Sequence, residues 1–229
     1  MTKKIYFITG TDTDVGKTLV SAGLLALAKK QGLRTAAIKP VAAGCFETDG
    51  GLRNDDALLL QEQCSVELDY DQINPVALHS AIAPHIAAEQ EGRRLNVSRL
   101  TGFCRGVLLQ PSDFVVIEGA GGWRVPVNSR ETLADLPKAL NVPVILVVAM
   151  RLGCINHALL TAEAIRRDGL TLAGWVANTP ELEPMKSYAE NLLTLKTLIG
   201  APLLGEIPYL EQVSAFEAAQ YLALEVLTA

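Results

Sequence analysis

The sequence predicts an α/β fold of the doubly wound type, in which helices flank a single, mainly parallel sheet. Three observations predict it: short aliphatic runs alternate with stretches of helical periodicity, the runs are continuously apolar, and no repeat or linker divides the 229 residues. Continuous apolar runs indicate strands that are buried on both faces, as in a parallel sheet. We expect one domain spanning residues 1–229, because α/β domains of this length commonly have a single core.

The apolar runs predict strands at residues 5–9, 35–39, 114–117, 142–149, 172–177 and 203–207. Helices are expected at residues 17–31, 55–63, 97–110, 155–168, 185–199 and 214–227. The first helix is the clearest, because its helical spacing of apolar residues ends at Gly32, a residue suited to follow a helix. Ligands of such folds bind at the carboxyl ends of strands, so residues after each strand are candidates for a site.

Composition and charge exclude several classes of protein. The net charge is −5 and the basic residues are scattered, so we expect no nucleic-acid partner. No apolar run approaches the roughly 20 residues of a membrane helix, and no secretory signal is evident, which predicts no membrane partner and a cytoplasmic location. The 4 cysteines form no C-x-x-C pair and the 3 histidines lack metal-ligand spacing, so no transition metal is expected.

A glycine-containing loop, GTDTDVGKT from Gly10 to Thr18, joins the first predicted strand to the first predicted helix. This context is typical of a nucleotide-phosphate loop, in which backbone N–H groups surround phosphate oxygens. Lys17 is placed to neutralise the β- and γ-phosphates, and Thr18 to bind Mg²⁺. Thr11 stands where the standard G-x-x-x-x-G-K-[ST] pattern has its first glycine, so the loop is a longer variant. The alternative is a glycine turn with a solvated lysine.

Two features of the sequence favour ATP as the nucleotide. Asp12 stands where the partitioning and nitrogenase-iron-protein ATPases carry their signature lysine, which argues against that group. No N-K-x-D or T-K-x-D segment follows a predicted strand, so a guanine-specific GTPase is disfavoured. We therefore expect ATP and Mg²⁺ as cofactors.

Charged residues also stand at two other predicted strand ends. Lys39 ends the second predicted strand before Pro40, where an ammonium group can offset charge that develops during phosphoryl transfer; a solvated surface lysine is the alternative. Glu118 follows a buried run beside a glycine-rich turn, the placement of a Walker B acid. Mg²⁺ usually takes only one or two carboxylates, so Thr18, Glu118 and one further acid suffice.

Seven segments, in order, resemble the dethiobiotin synthetase family of biotin biosynthesis; they are residues 10–18, 39–41, 51–57, 118–123, 152–157, 174–178 and 205–208. The resemblance spans most of the chain and implies a P-loop NTPase fold. It implies that 7,8-diaminononanoate, CO₂ and ATP give dethiobiotin, ADP and phosphate. A carbamate forms on one amine, ATP phosphorylates it to a carbamic-phosphoric anhydride, and the second amine closes the urea ring.

The resemblance also implies which residues form the site. Catalytic roles fall to Thr13, Lys17 and Lys39, and Mg²⁺ is bound by Thr18, Asp56 and Glu118. The residues expected to contact ATP are Asp14, Val15, Gly16, Lys17, Thr18, Leu19, Asp56, Glu118, Gly119, Ala120, Gly121, Asn178, Thr179, Pro208, Tyr209 and Leu210. The residues expected to contact the diamine are Ala43, Gly121, Cys154, Ile155 and Asn156. The last three contact its carboxylate at a helix N-terminus, across a homodimer interface.

Several of these roles have ordinary structural alternatives. Asp55 and Asp56 can be favourable charges in the first turn of a helix, an interpretation that we adopt for Asp55 alone. Asn178 can cap the segment that follows it. Cys154 can be a small packing residue, since the implied reaction has no thiol step. His85 lies in a segment similar to one near the diamine in the family, and a structural histidine is an equal alternative.

Ala43 departs from the family pattern, in which many members carry a serine whose hydroxyl contacts the substrate. A neutral hydrogen bond of this kind is worth about 0.5–1.5 kcal/mol, roughly a factor of two to twelve in affinity. The departure leaves open a related diamine or amino-acid substrate, or a nucleotide-bound regulator that signals through its dimer interface. A relative of the cobyrinate-amidating synthetases would need a glutaminase domain, for which the chain has no room.

Overall fold

The computed structural model describes residues 3–227. Its strands are β1 (Lys4–Gly10), β2 (Thr35–Ile38), β3 (Phe46–Thr48), β4 (Gly51–Arg53), β5 (Phe114–Glu118), β6 (Val144–Ala149), β7 (Leu172–Asn178) and β8 (Leu203–Ile207). Strands β3 and β4 form an antiparallel hairpin. The other 6 strands form one parallel sheet in the order β2-β5-β1-β6-β7-β8, which confirms the predicted fold class.

Helices lie in the connections between the strands of this sheet, and one further helix follows its last strand. They are α1 (Lys17–Lys30), α2 (Asp55–Gln63), α3 (Tyr70–Ile73), α4 (Pro84–Gln90), α5 (Val97–Leu108), α6 (Asp135–Leu140), α7 (Cys154–Arg167), α8 (Tyr188–Leu198) and α9 (Ala215–Ala219). Within residues 3–227 none of them is long and apolar enough to cross a membrane.

The sheet lies between two hydrophobic clusters, one on each face. Successive side chains of a strand point to opposite faces, so in β1 the ring of Phe7 joins one cluster while Tyr6 and Ile8 join the other. All residues of β5, β6 and β7 are buried. This burial is why their sequences are continuously apolar, and it confirms the interpretation of those runs as strands covered on both faces.

The order of the strands determines where a site can form. β1 lies between β5 and β6, and residue Ile8 is level with Glu118 across the β1–β5 pair. The chain leaves β1 for α1 on one face and leaves β6 for α7 on the other: the buried valine and leucine side chains of α1 belong to one hydrophobic cluster and the buried side chains of α7 to the other. Ligands of doubly wound folds bind at such a switch point, at the carboxyl ends of the strands.

The prediction of a C-terminal helix over residues 214–227 is wrong beyond its first turns. Helix α9 ends at Ala219, and the following chain runs along β8: Leu222 forms an antiparallel bridge with Gly205, and the Ala223 N–H donates to the Leu204 carbonyl at 2.8 Å. β8 is an edge strand of the sheet, and this pairing satisfies backbone groups that would otherwise be exposed. The hairpin and the short helices α3, α4 and α6 were not predicted, because elements of so few residues show little periodicity.

The docking of the C-terminal segment on β8 gives a first prediction. A Cβ atom at Gly205 would overlap the carbonyl oxygen of Tyr221. Gly205→Ala should therefore lower the free energy of unfolding by about 1–3 kcal/mol, the usual cost of overpacking, as measured by urea titration.

Gly102→Ala is the matched control. Gly102 lies in α5, and a Cβ atom there would have nothing within 4 Å. This substitution should raise the free energy of unfolding by up to about 1 kcal/mol, since alanine favours helix over glycine. A Gly205→Ala protein as stable as the wild type would contradict the described docking.

Candidate active site

The phosphate loop, defined as residues 10–18, makes a tight turn between β1 and α1. Gly16 has a φ of 93°, in the left-handed region that favours glycine, and a Cβ atom there would overlap the side-chain amide of Asn178. Asp14 is also left-handed, with a φ of 56°. The buried ammonium group of Lys17 folds back and donates to the Asp12 carbonyl at 2.9 Å. Such a concave loop at a helix N-terminus is suited to binding phosphate.

Four side chains from four elements meet beside this loop. The Lys39 Nζ atom donates to Asp56 Oδ2 at 2.6 Å and to Glu118 Oε1 at 2.7 Å. The Thr18 hydroxyl donates to the same Glu118 oxygen at 2.8 Å. These residues come from α1, the end of β2, α2 and β5, and we call Thr18, Lys39, Asp56 and Glu118 the charged cluster.

The charges of the cluster stabilise one another. Burial alone would lower the pKa of Lys39, but the charges and hydrogen bonds of Glu118 and Asp56 outweigh it and raise that pKa. Burial would raise the pKa of Asp56, but Lys39 outweighs it and lowers that pKa. Burial lowers the pKa of Lys17, and Lys39 adds to this effect while Glu118 and Asp56 oppose it. Lys39 and Asp56 are therefore charged at neutral pH.

The oxygen atoms of the cluster fit a magnesium ion. Glu118 is fully buried, and its second oxygen, Oε2, has no hydrogen-bond partner among residues 3–227. A buried polar atom without a partner is costly, so this oxygen is available for a ligand. The Thr18 hydroxyl and the Asp56 carboxylate supply further oxygens, and Mg²⁺ usually needs no more than one or two carboxylates.

Asn178, at the end of β7, is in contact with the phosphate loop. Its Nδ2 group donates to the Val15 carbonyl at 2.9 Å, and its buried Oδ1 atom has no partner in the described part of the chain. The next residue, Thr179, donates its N–H to the Ile207 carbonyl at 2.9 Å. Asn178 therefore links the phosphate loop to the ends of β7 and β8 and leaves one acceptor available.

A cavity of about 530 Å³ opens at the carboxyl ends of β7 and β8, and its lining residues are Thr179, Leu182, Pro184, Tyr188, Glu206, Pro208, Tyr209 and Tyr221. Three predicted nucleotide-binding residues, Thr179, Pro208 and Tyr209, lie in it. Leu210 does not line it and packs against the hydrophobic core instead. The volume is in the range of small-molecule pockets. Sequence reasoning missed Tyr188 and Tyr221, which lie outside the strand ends.

The glycine-rich turn after β5 packs over the phosphate loop. Gly119 lies against β1, where a Cβ atom would come within 2.9 Å of the Phe7 ring. Gly121 has a φ of 61°, and its Cβ position is 3.6 Å from the Thr13 hydroxyl oxygen. Ala120 is half-buried between them. The turn needs glycine at these two positions, and it places Thr13 beside Gly121.

The start of α7 lies on the other side of the loop. Cys154 is buried, Ile155 is half-buried and packs on the core, and Asn156 is exposed. Arg151, just before this helix, forms an ion pair with Asp12 at 3.0 Å. Sequence reasoning missed Arg151, whose partner is distant in the chain. This ion pair connects the start of α7 to the phosphate loop.

Three other predicted or considered residues lie outside these contacts. Leu19 packs against the hydrophobic cluster on the α1 face of the sheet. Ala43 is half-buried, and the preceding residue Ala42 donates its N–H to the Val76 carbonyl at 2.9 Å. The Nδ1 atom of His85 is buried without a partner among the described residues. The structure joins none of these three to the charged cluster by a hydrogen bond or an ion pair within residues 3–227.

The ion pair between Lys39 and Asp56 predicts a dependence of stability on pH. Because the pKa of Asp56 is lower in the folded protein than in the unfolded chain, its carboxylate stabilises the fold above the unfolded value, about 3.9. That stabilisation is lost as the pH falls through the lower, folded-state value. The difference in free energy of unfolding between the wild type and Asp56→Asn should therefore be largest near neutral pH and shrink in acid.

Asp55→Asn serves as the control, because Asp55 precedes Asp56 in the first turn of α2 but is exposed. Its effect on stability should change much less between neutral and acidic pH. Denaturant titrations of the three proteins across the pH range decide the matter. Equal pH profiles for both variants would show that the ion pair contributes nothing to stability.

Comparison with solved structures finds the same type of fold in other proteins. The septum site-determining protein MinD of Pyrococcus horikoshii, solved in complex with Mg-ADP, aligns with a TM-score of 0.57 at 17% identity, over 99% of this chain and 89% of that one. At this identity the likeness shows the fold alone. Together with the strand order, it shows that the chain has a P-loop NTPase fold.

Comparison of sequences is more specific. An AAA domain family model matches residues 4–217. The ATP-dependent dethiobiotin synthetase BioD of Cellvibrio japonicus is 59% identical over 98% of this chain and 97% of its own length. The protein of the same name from Marinobacter nauticus is 56% identical over 95% of this chain and 93% of its own length. The chain therefore belongs to the family of ATP-dependent dethiobiotin synthetases.

Proposed function

We propose that the protein catalyses the ATP- and Mg²⁺-dependent carboxylation and ring closure of 7,8-diaminononanoate to dethiobiotin. The observation that carries the proposal is the charged cluster, in which a buried lysine contacts two carboxylates beside a phosphate loop. Relatives named as dethiobiotin synthetases, at identities up to 59%, support this choice of substrate. The protein is accordingly an ATP-dependent cyclo-ligase.

The reaction joins one carbon and closes one ring. CO₂ and one amine of the substrate form a carbamate, and a carbamate oxygen attacks the γ-phosphorus of ATP while ADP leaves. The second amine then attacks the carbamate carbon and expels phosphate, which keeps the bridging oxygen, so the product is a cyclic urea. The site must therefore hold two anions, the carbamate and the γ-phosphate, close together.

The residues around the phosphate loop meet that need. Lys17 and the loop bind the β- and γ-phosphates, and Thr13 lies beside Gly121, where the γ-phosphate and the substrate approach each other. Lys39 stabilises the negative charge that develops between carbamate and phosphate. Thr18, Asp56 and Glu118 would hold Mg²⁺, which would neutralise phosphate charge.

The cavity at the ends of β7 and β8 suits the adenine base. Asn178 has a buried acceptor, Oδ1, without a partner among the described residues, and it lies between the phosphate loop and this cavity. An adenine amino group donates hydrogen bonds and matches such an acceptor. Pro208 and Tyr209 supply apolar surface for the base. We therefore assign two roles to Asn178: its Nδ2 group holds the phosphate loop, and its Oδ1 atom accepts a hydrogen bond from the adenine base.

The diamine carboxylate is assigned to the start of α7, and the second side of its site to a partner subunit. Leu152, just before this helix, is 94% exposed, and Leu160, within the helix, is 58% exposed; both provide apolar surface for a homodimer. Ile155 and Asn156 contribute N–H groups at a helix N-terminus, which favours anions, whereas the Cys154 N–H donates to the Arg151 carbonyl at 2.9 Å. We further propose one domain per chain and a cytoplasmic location, where ATP is supplied.

The experiment that tests the function measures ADP release from ATP, Mg²⁺ and bicarbonate, with and without 7,8-diaminononanoate. The diamine should accelerate ADP release and dethiobiotin should form. Lys39→Gln should lower kcat by roughly two to three powers of ten, the usual loss for one charge-stabilising group, while the Kd for ATP changes far less. If the wild type releases ADP no faster with the diamine than without it, the result would instead indicate the nucleotide-bound regulator.

Removing Lys39 also leaves the buried Glu118 without its ion-pair partner, so stability must be measured alongside activity. Thermal unfolding of Lys39→Gln with and without Mg-ADP separates the two effects, since a bound ion would compensate Glu118. Equal losses in kcat and in ATP affinity would reassign Lys39 to nucleotide binding.

Ala43→Ser should restore a hydroxyl at the position where many family members carry serine. The KM for the diamine should fall by roughly two- to twelve-fold, the value of one neutral hydrogen bond, with kcat and the KM for ATP little changed. Ala42→Ser, one residue earlier in a buried position, is the control and should not lower this KM. An unchanged KM in Ala43→Ser would indicate that this chain positions its substrate differently.

A further inference from the structure

The backbone of Lys39 is held by the end of the short helix α3. Its N–H donates to the Ile73 carbonyl at 2.7 Å, and its carbonyl accepts a hydrogen bond from Asn74 Nδ2 at 2.8 Å. Asn74 caps α3 and is 3% exposed, so water does not compete for this contact. The position of Lys39 therefore depends on α3 and not on β2 alone.

The other end of α3 holds the helix that carries Asp56. The Tyr70 hydroxyl accepts the Asn54 N–H at 2.8 Å and donates to Asn74 Oδ1 at 3.3 Å. Asn54 is the N-cap of α2, and its side chain accepts the Ala57 N–H at 3.3 Å. The first turn of α2, including Asp56, is therefore fixed relative to α3.

The covalent path between Lys39 and Asn54 is poorly suited to hold them in place. After the buried residues Val41, Ala42 and Cys45, it runs through the hairpin of β3 and β4, in which every residue of β3 is exposed and no residue of β4 is buried. Segments with few buried contacts open most easily. The guanidinium carbon of Arg53, at the end of the hairpin, lies 4.1 Å from the centre of the Tyr70 ring, so the hairpin itself is held by α3.

We infer that Tyr70 and Asn74 are positioning residues, which set the separation between Lys39 and Asp56 and so the arrangement of oxygens that receives Mg²⁺ and the phosphates. Their contacts form a closed ring that ends at the 2.6 Å bond between Lys39 and Asp56. The inference rests on the proposed function for the identity of the ion. Mg²⁺ demands ligand distances of about 2.0–2.1 Å in near-octahedral geometry, so a small displacement of Asp56 is enough to weaken it.

The test is Tyr70→Phe, studied through Mg²⁺ and nucleotide binding rather than through turnover. The substitution keeps the ring that packs on Arg53 and removes the hydroxyl, which leaves the Asn54 N–H and Asn74 Oδ1 without this partner. ADP binding is measured by calorimetry over a series of Mg²⁺ concentrations and in EDTA. We expect the Mg²⁺ concentration that gives half of the maximal enhancement of ADP binding to rise by about tenfold, as for other groups that orient metal ligands. ADP binding without metal should change little.

Two further variants keep the result interpretable. Tyr6→Phe changes a second buried tyrosine, in β1 and outside the ring of contacts, and should leave the Mg²⁺ dependence unchanged. Asn74→Ala interrupts the same ring of contacts. In the double variant with Tyr70→Phe, the fold-change in the Mg²⁺ requirement should therefore be smaller than the product of the two single fold-changes.

Each outcome has a definite meaning. A Tyr70→Phe protein that is less stable to heat, but has the Mg²⁺ dependence of the wild type, would overturn the inference and leave Tyr70 a structural residue. A shifted Mg²⁺ dependence supports the inference even if the wild type shows no diamine-stimulated ADP release. Absence of diamine-stimulated ADP release would reject the proposed function but not this inference.

Discussion

The contact of Lys39 with Asp56 and Glu118 is the interaction on which the rest of the site depends. Glu118 is fully buried, and removing one partner of a buried ion pair typically costs about 3–5 kcal/mol. The lysine therefore makes it possible to place a carboxylate at the centre of the fold, next to the phosphate loop. β2 and β5 are neighbours in the sheet, with Ile38 level with Ile117, so the strand order brings Lys39 to Glu118.

The same strand order assembles the other parts of the site from distant parts of the sequence. β1 lies between β5 and β6, so the loop that follows β1 meets Glu118 on one side and the start of α7 on the other. Asn178 joins this loop to β7 through the Val15 carbonyl. A P-loop NTPase fold thus has the phosphate loop at its centre, between the charged cluster on one side and the start of α7 on the other.

Much of this arrangement could be predicted from the sequence, because strand ends and loop patterns are local. The six strands, the phosphate loop, Lys39 and Glu118 follow from continuous apolar runs and from the residues after them. Asp56 needed the family resemblance, since in isolation it is indistinguishable from Asp55 in a helical first turn. Tyr70 and Asn74 could not be predicted: their partners are far away in the chain, and a helix of 4 residues has no periodicity. The predicted helix extended to residue 227, but the chain after Ala219 instead pairs with an edge strand, which is a long-range interaction.

The most direct measurement follows one oxygen atom through the reaction. Freshly prepared bicarbonate labelled with heavy oxygen is given to the protein with ATP, Mg²⁺ and 7,8-diaminononanoate, and the phosphate released in a single rapid turnover is analysed by mass spectrometry. If the charged cluster brings a carbamate to the γ-phosphate, the label appears in inorganic phosphate. Unlabelled phosphate, or phosphate that carries oxygen from labelled water instead, would contradict this, because water would then be the acceptor of the phosphoryl group.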